Sequence, residues 1–141
     1  MTGFLLDTNV LSELIKPRPE PKVTRWLESV DQALLYLSVM TLGEVRKGVA
    51  ALQSGSRRVA LEAWLETRLR PRFSGRILPI DEGVADRWGM LAAAAAGRDA
   101  PLPVIDGLLA ATALQFNLTL VTRDTSGLAA TGVAVFNPWV G

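Results

Sequence analysis

Histidine and cysteine are both absent from this chain of 141 residues. Without cysteine there is no disulfide, no thiolate nucleophile and no Cys-ligated zinc or iron–sulfur site. Without histidine the chain lacks the commonest general base of enzymes and the commonest ligand of transition metals. Ser-His-Asp and Cys-His catalytic machinery is therefore excluded. Any enzymatic chemistry must depend on carboxylates, Lys, Arg, Ser, Thr or Tyr, and the metal ion that suits such groups is a hard cation held by oxygen atoms.

A charge excess of either sign is also lacking, because 15 basic residues stand against 14 acidic ones. The net charge of +1 gives no global attraction to nucleic acid, so an RNA-binding face would have to come from local charge segregation. No basic stretch precedes the apolar start of the chain, as an export signal requires, and no uncharged run is of membrane-spanning length. The composition, 49% hydrophobic, predicts one soluble, cytoplasmic domain over residues 1–141.

Short apolar runs alternate along the chain with longer patterns of helical periodicity. Strands are predicted at residues 3–6, 34–38, 77–80, 118–122 and 133–136. Helices are predicted at residues 8–15, 22–30, 41–53, 57–69, 81–96 and 104–116. Strands separated by helices favour parallel crossovers, and strands that are apolar throughout favour burial on both faces. The expected fold is an α/β protein, a three-layer α/β/α sandwich with a mainly parallel central sheet.

Acidic residues lie close after several of the predicted strands. Asp7 follows the first strand, Glu44 comes shortly after the second, and Asp124 follows the fourth. Asp106 lies near the start of the last predicted helix, on a face that is otherwise apolar, where a carboxylate is costly to bury without a partner. Because ligands bind at the carboxyl ends of parallel strands, all four acids could meet at one end of the sheet.

Four carboxylates in one cleft would raise each other's pKa values, and Mg²⁺ or Mn²⁺ would relieve that conflict. Such an ion lowers the pKa of a bound water and neutralises charge on a phosphoryl group, so the pattern favours phosphodiester or phosphomonoester hydrolysis. Taken singly, each acid also has a simpler interpretation. Asp7 could cap a helix, Asp124 could belong to a turn, and Glu44 could be a solvated helix residue.

Four segments carry a more specific pattern. They are residues 5–13 (LLDTNVLSE), 42–48 (LGEVRKG), 102–113 (LPVIDGLLAATA), and 118–124 (LTLVTRD) followed by Gly132-Val133 and Asn137-Pro138-Trp139. In this order they resemble the motifs of PIN-domain proteins, in particular the FitB-like branch of VapC toxins. The resemblance spans nearly the whole chain, and its first and third segments are the most specific.

The resemblance implies a Mg²⁺- or Mn²⁺-dependent endoribonuclease that is the toxin of a type II toxin–antitoxin system. It implies RNA as substrate, a VapB-like antitoxin as inhibitor, a homodimer and no membrane partner. An antitoxin helix is expected in a groove between the early helices, with a basic side chain among the acids. Carried over by motif, the catalytic residues are Asp7, Glu44, Asp106 and Asp124, and the metal ligands are Asp7 and Asp106.

Further residues are assigned by their position beside the acids. Candidates to orient the acids through hydrogen bonds are Thr8, Asn9, Ser38 and Thr122. Candidates to bind RNA are Arg46, Lys47 and Arg123, because they flank the proposed ligands. The pattern also departs from its family, since many relatives carry Asn in place of Asp124 and Asp-Phe in place of Gly127-Leu128. The fourth acid is therefore present in altered surroundings.

Three alternatives compete with the ribonuclease hypothesis. A catalytically silent PIN fold would act only as a binding module, and the intact acidic set argues against it. A haloacid-dehalogenase-like phosphatase also has an Asp after its first strand, but it needs a second Asp where this chain has Asn9. A response-regulator receiver needs a Lys after a late strand, and the only Lys residues are Lys16, Lys22 and Lys47.

Overall fold

The computed structural model describes residues 2–141 and contains one sheet of five strands. The strands are β1 Phe4–Leu6, β2 Leu35–Ser38, β3 Ile77–Leu78, β4 Thr119–Val121 and β5 Val135–Phe136. Their order in the sheet is β3-β2-β1-β4-β5, and every neighbouring pair is parallel. The predicted fold class is confirmed, and the sheet is parallel throughout rather than mainly so.

Helices connect the strands and flank the sheet. They are α1 Thr8–Leu14, α2 Pro21–Ser29, α3 Val39–Ala50, α4 Ser56–Trp64, α5 Arg70–Arg72, α6 Glu82–Gly97 and α7 Val104–Gln115. Residues Leu65–Leu69 form a wider π-type turn between α4 and α5, and 3₁₀ turns span Gln32–Leu34 and Ser126–Thr131. Among the helices of residues 2–141, none combines the length and the apolar character that a membrane span requires.

Most element boundaries lie within two residues of those predicted, although α3 ends at Ala50 rather than at residue 53. Two of the differences have local causes. α3 begins at Val39 rather than Thr41, because the buried Ser38 caps it directly at the end of β2 by accepting a hydrogen bond from Met40 N (3.0 Å). The fourth predicted helix continues beyond Leu69 as α5. Pro71 would break a regular helix through its ring and its missing N–H, and the wide turn at Leu65–Leu69 comes directly before it. β5 covers only the second half of the predicted fifth strand.

The core has two layers, one on each face of the sheet, because alternate residues of a strand point to opposite faces. Leu6, Leu37 and Val121 belong to a cluster that packs against α1 to α4 and the turn after α4. Leu5 and Leu120 belong to a second cluster, built with residues of α7 and of the turn at 126–131. The strands are therefore covered on both faces, which explains why they read as apolar without alternation.

The strand order reverses beside β1. The chain moves outward from β1 to β2 and β3, and then returns to place β4 on the other side of β1. The carboxyl ends of β1 and β4 consequently border the crevice where parallel α/β sheets bind their ligands.

Gly107 allows close packing between α7 and α6. A Cβ atom at Gly107 would lie 2.9 Å from Trp88 Cδ1 and 3.1 Å from Leu102 Cδ2. A Cβ atom at Gly89, by contrast, would meet nothing within 4 Å. The two glycines therefore allow a matched test of packing against helix propensity.

We expect Gly107→Ala to lower the free energy of unfolding by about 1–3 kcal/mol, because the added methyl group overpacks the contact with Trp88. Gly89→Ala adds the same methyl group on the open surface of α6 and should raise the free energy of unfolding by about 0.5–1 kcal/mol. Urea denaturation of both variants measures the difference. Equal effects would contradict the packing of α7 against α6 described above.

Candidate active site

Asp7 lies at the end of β1, where the strand order reverses. Its backbone N–H donates to Val121 O (2.9 Å), so the pairing of β1 with β4 extends to Asp7 itself. Its carboxylate accepts hydrogen bonds from Thr8 N at Oδ1 (2.7 Å) and from Thr122 Oγ1 at Oδ2 (2.8 Å). Asp7 is also the N-cap residue of α1, so its simpler interpretation as a helix cap is correct and is compatible with a role in the cleft.

The hydroxyl of Thr122 connects three segments of the site. Besides donating to Asp7, its oxygen accepts hydrogen bonds from Asn9 Nδ2 (3.2 Å) and from Asp124 N (3.1 Å). Thr122 is fully buried, so water does not compete for these bonds. Thr122 thus contacts an acid directly, whereas Asn9 reaches Asp7 only through the Thr122 hydroxyl.

Glu44 lies on α3 and is tied to the start of α1. Thr8 Oγ1 donates a short hydrogen bond of 2.6 Å to Glu44 Oε1. Thr8 therefore bridges two acids, since its backbone N–H binds Asp7 and its hydroxyl binds Glu44. Ser38 differs from Thr8 and Thr122, because the side-chain hydrogen bond at its hydroxyl is the cap of α3 and not a contact with an acid.

Asp106 lies in the first turn of α7 and is partly buried. Within residues 2–141 its carboxylate has no hydrogen-bond donor, in contrast to Asp7 and Glu44. Burial raises its pKa above the ordinary value, and the charges of Asp7, Asp124 and Glu44 raise it further. An acid in this position gains from any cation that enters the cleft.

Burial also raises the pKa of Asp7, which the nearby charges of Glu44 and Asp124 raise further. The hydrogen bonds from Thr122 and Thr8 act in the opposite sense and favour the charged form. Burial is the first cause of the raised pKa values of Asp7 and Asp106, and the charges of neighbouring carboxylates are the second, so these acids lie within reach of one another's charge. Such mutual destabilisation is common where function has selected the arrangement.

A cleft of about 420 Å³ opens above these side chains. It is lined by Asp7, Thr8, Asn9, Ser12, Glu13, Lys16, Glu44, Ile105, Asp106, Arg123 and Trp139. Asp124 is outside this lining, although its charge reaches Asp7 and Asp106. Its carboxylate receives a long hydrogen bond of 3.5 Å from Ser126 Oγ. The structure therefore brings three of the four predicted acids to the cleft wall and leaves the fourth beside it.

The donor groups of the cleft fit a hard divalent cation. Across residues 2–141 no three acidic side chains come close enough to hold an ion by themselves. Magnesium, however, is usually bound by one or two carboxylates and completes its shell with water. Asn9 Oδ1 also lies buried without a donor from the described chain, an acceptor that a metal-bound water would satisfy. Asp7 and Asp106 are the pair whose raised pKa values a cation would lower most directly.

The three predicted RNA-binding residues differ in their surroundings. Arg46 is half-buried and forms an ion pair with Glu66, which also pairs with Arg70 (3.4 Å). Lys47 is exposed on α3. Arg123 is exposed and lines the cleft, with its guanidinium carbon 5.4 Å from the centre of the Trp139 ring. Of the three, only Arg123 belongs to the cleft wall.

Sequence reasoning missed Glu13, Lys16 and Trp139, which also line the cleft. Glu13 is only 4% exposed, and it accepts hydrogen bonds from Lys16 Nζ (2.9 Å) and Glu20 N (2.9 Å). A single charge among the buried apolar residues of α1 was the available signal.

An apolar groove of about 210 Å³ adjoins the cleft between α1, α3 and α4. Its wall contains Thr8, Leu11, Ser12, Ile15, Glu44, Val45, Gly48, Val49, Leu52, Arg57, Leu61 and Trp64. A Cβ atom at Gly48 would meet nothing within 4 Å, so the glycine leaves open space in the groove one helical turn from Glu44. Thr8 and Glu44 belong to both the groove and the cleft.

Two toxin–antitoxin proteins are similar to this chain over nearly its full length. The chain is 45% identical over 136 residues to Toxin FitB of Neisseria gonorrhoeae, an alignment that covers 96% of this chain and 98% of that protein. It is 38% identical over 136 residues to VapC ribonuclease Y4jK of Sinorhizobium fredii, covering 96% of this chain and 97% of that one.

Solved structures of FitB-containing complexes are also similar to this chain. The crystal structure of FitAcB from Neisseria gonorrhoeae superimposes with a TM-score of 0.93 at 45% identity, covering 96% of this chain and 98% of the other. A structure of FitAB bound to an IR36 DNA fragment has a TM-score of 0.92 at 43% identity, covering 96% and 95%. Residues 4–133 match the PIN domain family. The resemblance noted from four motifs is thus confirmed, and the chain belongs to the PIN-domain family.

Proposed function

We propose that this protein is the toxin of a type II toxin–antitoxin pair and acts as a metal-dependent endoribonuclease. The observation that carries the proposal is the cleft in which Asp7, Glu44 and Asp106 meet at the carboxyl ends of parallel strands, with raised pKa values at Asp7 and Asp106. Relatives named as toxins and as VapC ribonucleases support the same activity. A phosphatase of another fold is not favoured by any contact in the site.

Ribonucleases of this family generally depend on a divalent metal ion, and Mg²⁺ or Mn²⁺ fits the oxygen donors of the cleft. In the proposal Asp7 and Asp106 hold the ion, and Glu44 and Asp124 bind it directly or through water. When bound, the ion lowers the pKa of a water and neutralises charge on the phosphoryl group.

The residues of the chain have distinct tasks in this proposal. Thr122 and Thr8 fix the orientation of the Asp7 carboxylate through their hydrogen bonds to its two oxygens. Thr8 also holds Glu44 by one oxygen, Oε1, and leaves Oε2 to receive a proton from the attacking water. Family membership implies in-line displacement with a 5′-phosphate and a 3′-hydroxyl as products.

The apolar groove suits an antitoxin segment. Its wall is built mainly from aliphatic side chains and Trp64, and it ends at Glu44, which it shares with the acidic cleft. A helix with one apolar face could bury that face in the groove and extend a basic side chain toward Glu44. FitAB has been solved bound to an IR36 DNA fragment, and an assembly of that kind is proposed for this chain with its own antitoxin.

A homodimer is part of the same proposal. Met90 on α6 is 71% exposed and Val104 at the start of α7 is 58% exposed, so apolar surface remains uncovered on this side of the sheet. A second copy of the chain would bury it.

Asp106→Asn tests the nuclease most directly, because Asp106 has no hydrogen-bond donor whose loss would confuse the result. With a mixed pool of single-stranded RNAs and Mg²⁺ or Mn²⁺, we expect cleavage by the purified protein and a loss of about 100-fold or more in the variant. EDTA should abolish cleavage by both proteins.

Asp86→Asn is the matched control, since it removes one negative charge from the exposed surface of α6. It should cleave as fast as the unmodified protein. Metal-independent cleavage, or cleavage retained in Asp106→Asn, would refute the proposed mechanism. A folded protein that binds Mn²⁺ but cuts no RNA would favour the catalytically silent binding module.

Thr122→Val removes the hydroxyl that orients Asp7 and leaves the shape of the side chain nearly unchanged. We expect the affinity for Mn²⁺ to fall about 10- to 100-fold, because the ligand loses its supporting hydrogen bond. The free energy of unfolding should fall by about 1–3 kcal/mol, since Asn9 and Asp124 N lose a buried acceptor. Calorimetric titration with Mn²⁺ and urea denaturation measure the two effects. Thr122→Ser should restore both, and unchanged Mn²⁺ affinity in Thr122→Val would contradict the orienting role.

In the metal-free protein, the contribution of Asp7 and Asp106 to the free energy of unfolding should fall as the pH rises through the acid range. The folded-state pKa values of Asp7 and Asp106 are raised above 3.8, so the folded chain binds more protons than the unfolded chain in that range. Such a group contributes stability that is lost as the pH rises toward its folded-state pKa. Asp106→Asn removes the pH-dependent contribution of the Asp106 carboxylate. The free energy of unfolding of the variant should therefore rise relative to that of the unmodified protein between about pH 4 and pH 7 in EDTA.

Glu13→Gln should change the free energy of unfolding in the opposite direction to Asp106→Asn. The hydrogen bond from Lys16, followed by that from Glu20 N, lowers the pKa of Glu13 below 4.5. Its charge stabilises the fold above that value, and the stabilisation is lost as the pH falls through the lowered pKa. Glu13→Gln should therefore be destabilised at neutral pH and approach the unmodified protein in acid. Urea denaturation across the range separates the two variants, and parallel pH profiles would show the assignment to be wrong.

A further inference from the structure

Arg123 is a cation beside the acidic cleft that has no acidic partner. It lines the cleft with Asp7 and Asp106, yet within residues 2–141 it takes part in none of the ion pairs and donates no side-chain hydrogen bond. Arg46, by contrast, is paired with Glu66. An exposed guanidinium whose N–H groups are unoccupied is suited to bind the oxygens of a phosphate.

Two contacts from the C-terminal segment hold Arg123. Its guanidinium lies over the ring of Trp139, 5.4 Å from the ring centre. Its backbone carbonyl accepts a hydrogen bond from Asn137 Nδ2 (3.2 Å), and Asn137 Oδ1 accepts one from Trp139 N (2.9 Å). Stacking on the indole restricts the long arginine side chain but leaves the edge of the guanidinium open to a ligand.

Trp139 is held in turn by a buried carboxylate. Its indole Nε1 donates to Glu13 Oε1 (3.4 Å), the oxygen that also accepts from Lys16 Nζ (2.9 Å). Glu13 is 4% exposed, and burying a carboxylate is costly unless donors satisfy it. Its donors come from the loop between α1 and α2, through Lys16 and Glu20 N, and from the C-terminal segment, through Trp139. Glu13 therefore joins these two segments beside the cleft.

We propose that Glu13 and Trp139 are positioning residues: Glu13 holds the Trp139 indole, and the indole holds Arg123 where it binds a phosphate of single-stranded RNA. This inference rests on the proposed ribonuclease function and adds to it the segment that receives the strand. Glu13 takes no part in metal binding, because its oxygens are directed to Lys16, Glu20 N and Trp139. Trp139 also packs partly against the apolar core, so the test must separate positioning from packing.

Binding of a short fluorescent single-stranded RNA provides the first test. It is measured by anisotropy in EDTA over a range of salt concentrations, in an Asp106→Asn background that does not cut. Arg123→Ala should weaken binding and reduce the slope of log affinity against log salt by about 0.7, the value for one phosphate contact on a single strand. Arg25→Ala removes an exposed arginine from α2 as the matched control and should change neither quantity.

The second test asks whether the effect of Trp139 on RNA binding depends on Arg123. Trp139→Leu should weaken RNA binding about two- to fivefold when Arg123 is present and should have no further effect in the Arg123→Ala background. Trp139→Phe keeps a ring but loses the donor to Glu13. Its RNA affinity should therefore lie between those of Trp139→Leu and the unmodified protein, close to that of Glu13→Gln. Equal losses from Trp139→Leu in both backgrounds would show that Trp139 acts through packing alone, and would overturn the proposal.

The side chain of Arg123 can also be observed without RNA. In NMR spectra of the full chain, its Nε–H signal should show an upfield ring-current shift that is lost in Trp139→Leu and reduced in Glu13→Gln. An Arg123 signal that Trp139→Leu leaves in place would overturn the positioning role. If the shift is present but the protein binds and cuts no RNA at any salt concentration, the proposed ribonuclease function fails. If RNA binds equally to the unmodified protein and Trp139→Leu, the positioning role fails alone.

Discussion

One buried hydroxyl, that of Thr122, connects the segments from which the acidic cleft is made. It donates to Asp7 and accepts from Asn9 and from the backbone of Asp124. The bond exists because β1 and β4 are neighbours in the sheet, so that the residues directly after them lie side by side. The chemistry of the site therefore depends on the sheet topology as much as on the acids themselves.

Stability and function oppose one another at this edge of the sheet. The strands beneath the cleft are buried among leucine and valine on both faces, an environment that disfavours charge. The acids above them nevertheless remain close enough to raise the pKa values of Asp7 and Asp106. A neutral side chain in place of one of these carboxylates would relieve part of the repulsion, so the acidic cluster lowers the stability of the metal-free fold.

Much of the fold and part of the site could be predicted from the sequence, because the signals are local. Apolar runs and helical periodicity indicate the strands and helices, and the strand-end rule indicates Asp7 and Glu44. Asp106 stands out instead as a carboxylate on an otherwise apolar helix face. The roles of Glu13 and Trp139 could not be predicted in this way, since they depend on a contact between residues 126 positions apart. Ser38 shows why a residue's position along the sequence does not fix its role. A serine at the end of a strand can orient an acid or cap a helix, and Ser38 caps α3.

The long separation between Asp7 and Thr122 has a consequence during synthesis. Asp7 leaves the ribosome early, but its hydrogen-bond partner follows 115 residues later, and β1 cannot pair with β4 until then. At about 5–20 residues per second, the nascent chain spends several seconds with its first acid exposed and its cleft unassembled. The acidic cleft can therefore be completed only after β4 has been synthesised, near the end of translation.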